Sequence, residues 1–206
     1  METALAPFLG TWTVMMAAMM LPSAWPMVRM HRLTAEGIGR LGTELRTAVF
    51  VAGYLLVWAS LGLAVWLSGM LVELVVPADV RPFGIAAILF IAGAYQFTRL
   101  KIACLRACRT PMDFLLTHWY AGTTGALRLG IEHGLYCLGC CWALMAVFVV
   151  AGAMGLVWAV CIASVVFVEK VFPHGVGFAR VTGLALIAGA VVVAIRSGLA
   201  ALPGGQ

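Results

Sequence analysis

Between Thr47 and Val72 the chain runs for twenty-six residues without an Asp, Glu, Lys or Arg, and between Gly134 and Val168 for thirty-five. About 20 helical residues, rising 1.5 Å each, cross the ~30 Å hydrocarbon core of a bilayer. Runs of this length therefore point to helices that live in lipid, where each backbone N–H and C=O is satisfied inside its own segment. Composition agrees. Of the 206 residues 64% are hydrophobic and 10% charged, and the mean hydropathy of +1.06 lies far above that of soluble domains. The net charge of +5 then reflects membrane topology and not nucleic-acid binding. No basic segment leads into a short apolar run with a small-residue cleavage site, so the first span is expected to be retained.

Apolar runs predict an all-α, polytopic bundle, a single transmembrane domain over residues 1–206, with six spans near 9–28, 47–72, 83–103, 134–152, 155–172 and 177–197. Gln96 and Arg99 weaken the third. The run from Gly134 to Val168 is too long for one span, and "VAGAMG" (Val150 to Gly155) supplies the turn that divides it. Between spans three and four, Thr110 as N-cap, Pro111 at the first helical position and Asp113 in the first turn predict a short interfacial helix. Its apolar face would be Phe114, Leu115, Leu116 and Trp119. Thr124 is the expected N-cap of an extension of span four, on which Gly130 and Gly134 would admit a neighbouring helix. Pro22 and Pro26 should kink span one.

Cations set the orientation. Arg29, Arg32, Arg40 and Arg46 follow span one; Arg99, Lys101, Arg106, Arg109 and Arg128 follow span three; Lys170 and Arg180 follow span five, against Arg81 and Arg196 elsewhere. The basic segments are expected in the cytoplasm and both termini outside it.

On that topology "GLYCLGCCWALM" (Gly134 to Met145) opens span four on the cytoplasmic side. At 100° per residue His133, Cys137 and Cys140 fall within about 60° of each other, with Cys141 at the edge of the stripe. Cys104 and Cys108, four apart, share a face on the extension of span three. Two helices thus bring soft ligands to one boundary, and three or four thiolates or imidazoles suit Cu(I), Zn(II) or an iron–sulfur cluster. In a reducing cytosol such thiols stay available to metal. A thiol–disulfide relay through Cys137 and Cys140, and plain packing of small apolar side chains, remain alternatives. Isolated Cys161 reads as packing.

Span one carries "WTVMMAAMM", in which Met15 and Met19 share one face and Met16 and Met20 the adjacent one. Thioethers select Cu(I), but methionine also fills gaps in apolar cores. With Met145 at an intermediate depth, Met15 and Met19 would make a ladder toward the cysteines. Glu169 is expected to pair with a loop arginine, ahead of facing the cysteine site, and Arg128 to bridge to Glu132. His31, His118 and His174 read as surface or interfacial. No Ser–His–acid set, phosphate-cradling glycine loop or HExxH is present, so nothing points to hydrolysis or nucleotide use.

Together "MMAAMMLPS", "YQFTRLKIACLRACRTP" (Tyr95 to Pro111), "GLYCLGCCWALM" and "FVEKVFPHG" (Phe167 to Gly175) resemble a bacterial domain-of-unknown-function family described as predicted metal-binding integral membrane proteins, some of them labelled copper chaperone. The resemblance runs from about Trp12 to Gly189. It implies a multi-pass bacterial inner-membrane protein, with Cys104, Cys108, Cys137, Cys140 and Cys141 as motif positions alongside the Met-rich span and Glu169. Many members carry a further span before the Met-rich one, on which the orientation of the termini depends. Residues and resemblance together lead to Cu(I) as expected cargo, ahead of zinc or iron–sulfur. The expected partners are the lipid bilayer and a cuproenzyme or other membrane-complex subunit. A structural subunit of a larger complex is the remaining class.

Overall fold

The computed structural model describes residues 4–35, 39–78, 80–152 and 155–200, and all regular structure among them is helical. Eight helices follow in order: α1 Leu5–Thr34, α2 Arg40–Val75, α3 Arg81–Tyr95, α4 Arg99–Arg109, α5 Pro111–Thr117, α6 Gly122–Val150, α7 Leu156–Val171 and α8 Gly175–Ala200. Four of them, α1, α2, α6 and α8, are long and apolar enough to cross a membrane, and α3 with α4 makes a fifth if the bent pair is one span. The described helices thus account for four or five of the six expected spans and leave the count of six unconfirmed. At 1.5 Å per residue the 16 residues of α7 reach only about 24 Å, short of the hydrocarbon thickness.

The third expected span is interrupted where Gln96 and Arg99 weaken it. α3 ends at Tyr95, and α4 leaves at 65° to it. Thr98 makes the corner: its hydroxyl donates to the Tyr95 carbonyl at 2.8 Å and accepts from the Lys101 amide at 3.2 Å. One side chain thus closes the first helix and caps the second. The cysteine-bearing α4 is consequently a bent-off helix and not a straight extension of α3.

Other local expectations meet mixed outcomes. α5 starts at Pro111 with Asp113 in its first turn, as its sequence predicts. Thr110, however, gives no side-chain cap; its hydroxyl donates back to the Arg106 carbonyl at 3.0 Å. Phe114 and Leu115 are buried, while Leu116 and Trp119 are exposed. Thr124 lies inside α6, which already begins at Gly122, so it is not the cap. α1 continues as helix through Pro22 and Pro26. α6 ends at Val150, and Gly152 follows at φ +100°, a conformation closed to most L side chains. Ala153 and Met154, within the expected turn, lie outside the described residues.

The chain forms two compact units: residues 1–67 with 103–140, and residues 68–102 with 141–206. In the first, α2 and α6 meet through glycines. A β-carbon on Gly53 would lie 2.5 Å from the Leu127 carbonyl oxygen, and one on Gly130 would collide with the Phe50 carbonyl. The close approach expected of Gly130 and Gly134 is thus realised, Gly134 lying against Val57. α1 runs antiparallel along α2: the Trp12 indole N–H donates to the Trp58 carbonyl at 2.9 Å, and the His31 ring stacks on Phe50 at 4.8 Å. In the second unit α3 packs on α8 through Gly93 and Gly183, each set against the other helix's backbone.

Candidate metal centre

Within the first unit α4 and α6 present their cysteines to each other. Cys104 and Cys108, one turn apart, are half-buried; Cys137 and Cys140 on α6 are buried. Cys108 Sγ lies 3.9 Å from Cys140 Sγ. Cys140 Sγ also donates to the Cys137 carbonyl at 3.1 Å, and the Cys137 sulfur meets the Tyr54 hydroxyl at 3.0 Å. The Cys104 sulfur rests on Gly139, where a β-carbon would come within 2.8 Å of it. A glycine on α6 therefore makes room for a cysteine from α4. Cys141 is buried and begins the other unit's share of α6.

His133 lies one turn before Cys137, and aromatic rings surround it: Tyr54 at 5.8 Å, Phe50 at 6.2 Å and Phe114 edge-on at 5.4 Å. Among the described residues no three His, Cys, Asp or Glu side chains converge where they would hold one ion. What the geometry supplies is a pair of facing sulfurs with a third and a fourth cysteine within a turn of each.

On α1 the enclosed face carries Trp12, Met16, Met19, Met20, Ser23, Met27 and His31. Met15 is half-buried beside that stripe, and Met19 is in it. His31, expected at the surface, is only 2% exposed. It continues the Met series at helical spacing, a signal the sequence contains. His118 is half-buried against Phe114, 4.5 Å between ring centroids, and His174 is exposed. Cys161 is exposed, so it does not fill the interior as expected. Met145 is buried.

In the second unit Glu169 pairs with Lys101 at 2.6 Å, with side chains 2% and 1% exposed. The expected partner was a loop arginine; the actual one sits in the first turn of α4, where the Thr98 cap fixes it. Arg128 and Glu132 bridge at 2.9 Å as expected of an i, i+4 pair, and Arg128 also lies 4.1 Å over the Tyr120 ring.

A family model described as copper chaperone, PpoB2, matches residues 9–193. No curated protein and no solved structure matches the chain.

Proposed function

The chain belongs to the copper-chaperone family PpoB2, and on that premise we propose that it carries Cu(I) in transit on the facing cysteines of α4 and α6, at the boundary of the membrane its long apolar helices enter. The observation that supports this is the 3.9 Å approach of Cys108 and Cys140. Two metal–sulfur bonds of about 2.3 Å closing that gap meet at about 115°, near the angle of a three-coordinate ion. Cys104 and Cys137, each one helical step away, supply the third sulfur after a rotamer change. Zinc asks for four converging ligands, and a [4Fe–4S] cluster likewise takes four thiolates. A facing pair with a nearby third suits a soft monovalent ion better.

Thiol burial also matters for function. Sulfurs enclosed between helices are shielded from chance oxidants and competing ligands, while the half-buried Cys104 and Cys108 leave one side open for exchange with a partner. The cytoplasmic placement of this site, drawn from the cation distribution, completes the reading: copper is collected or held on the inner side and passed to a membrane cuproenzyme pathway.

The deciding experiment is anaerobic Cu(I) titration of the reduced, detergent-purified protein against a chromogenic competitor. Stoichiometric binding that falls at least tenfold in affinity in both Cys108→Ser and Cys140→Ser is the expected result. Unchanged copper binding, together with a reversible Cys137–Cys140 disulfide that titrates with a redox buffer, would instead identify a thiol relay.

A further inference from the structure

Four buried methionines and a buried histidine lie along one face of α1, and the cysteine site makes no use of them. Met16, Met20 and Met27 are essentially inaccessible, Met19 nearly so, and His31 closes the series at the helix end. Leucine would fill such a face with better-defined rotamers; methionine adds a polarisable sulfur. Histidine is harder to account for as filling. Its Nδ1 is buried and has no hydrogen-bond partner among the described residues, an arrangement that costs stability unless something else takes the lone pair.

The stripe is not remote from the cysteines. Trp12 of α1 binds at Trp58 of α2, and His31 stacks on Phe50. Between those two contact points on α2 lies Tyr54, whose hydroxyl touches Cys137. Met27 shares a buried cluster with Phe50 and Phe114, and it sits one turn from His31, the spacing at which two helical side chains reach a common point.

We propose that Met27 and His31 form a second, thiol-free Cu(I) site on the buried face of α1, with Met20 and Met16 continuing the same soft-ligand line up the helix. A thioether with a neutral imidazole suits Cu(I) and discriminates against Mg(II) and Ca(II), which take oxygen ligands. The inference rests on the copper-handling reading, but not on the cysteines being ligands.

Two variants separate it from that reading. The first replaces Cys104, Cys108, Cys137, Cys140 and Cys141 by Ser; the second is Met27→Leu with His31→Phe, which keeps apolar volume and a ring to stack on Phe50. Anaerobic Cu(I) titration, with Ag(I) as a redox-silent probe, measures copper equivalents per chain in each. The wild type should bind one equivalent more than the Met27/His31 variant, and the remaining copper should show a sulfur shell in X-ray absorption. In the cysteine-replaced protein the residual ion should show mixed nitrogen and sulfur ligation. The Met27/His31 variant matching the wild type in equivalents and in nitrogen ligation would overturn this site and leave the cysteine site standing. Should the cysteine-replaced protein bind as much as the wild type, the cysteine reading fails and the α1 site is upheld. If the five-fold variant does not fold, the Met27/His31 comparison in the wild-type background decides alone.

Discussion

At the scale of single residues, the candidate centre depends on what is missing as much as on what is present. Gly139 is a side-chain-free position facing Cys104, and a methyl group there meets the Cys104 sulfur. Gly139→Ala should therefore push Cys104 outward and weaken Cu(I) binding by about as much as Cys104→Ser does, while α6 gains about 0.5–1 kcal/mol in helix propensity; titration and thermal melting of the two variants side by side measure this. Affinity that survives Gly139→Ala but not Cys104→Ser would show that the thiol can bind from elsewhere. Tyr54 is the second such residue. Tyr54→Phe removes the hydroxyl that meets Cys137 and should cost about 1 kcal/mol in stability, the net worth of one buried hydrogen bond, read by thermal unfolding in detergent.

Helices in lipid associate without a hydrophobic force between them, so close packing decides which elements meet. In the first unit α2 and α6 approach so closely at Gly53 and Gly130 that backbone faces backbone. Gly130→Leu should destabilise by at least about 1–3 kcal/mol, since the obstruction is the Phe50 carbonyl and not a mobile side chain. The matching change at a glycine with open space around it, such as Gly189, should be nearly neutral; comparing their detergent melting temperatures tests the assignment. In the second unit the element-level lock is electrostatic. Lys101 at the start of α4 and Glu169 near the end of α7 exclude water from each other. Lys101→Met removes the hydrogen-bonded cation from a buried carboxylate and should cost up to about 3–5 kcal/mol, whereas Lys101→Met with Glu169→Leu should recover most of it. A double variant no better than the single one would mean that Glu169 has a further role.

For the molecule as a whole, the apolar exterior is the dominant fact. Leu41, Leu74, Leu156 and Val157 are among many large aliphatic side chains that face outward, which in water would be an aggregation hazard and in lipid is the required surface. The protein should fractionate with membranes and resist alkaline extraction. Reporter fusions after Arg46 and within the Pro111–Thr117 helix should be active on the cytoplasmic side, following the concentration of Lys and Arg in three segments. Periplasmic activity at both would reverse the orientation and move the cysteines toward an oxidising compartment.

Length and polarity alone pointed to helices long and apolar enough to cross a membrane, because twenty-odd apolar residues in lipid have few other ways to satisfy their backbone, and four such helices are present among the described residues. They also determined that Cys104 and Cys108 share one helical face and Cys137 and Cys140 another, since helical periodicity is local. The helix at Pro111 was legible for the same reason. Tertiary structure decided the rest. Whether α3 and α4 form one span depends on Thr98 bonding both ways around a corner, and α7 is a helix of only 16 residues although its composition is apolar throughout most of its length. Lys101 as the partner of Glu169, Gly139 as the seat of Cys104, and the burial of His31 against Phe50 all join residues at least 19 positions apart. Helical periodicity fixes which residues share a face, but packing between helices fixes which faces meet, and that is where Cys108 finds Cys140.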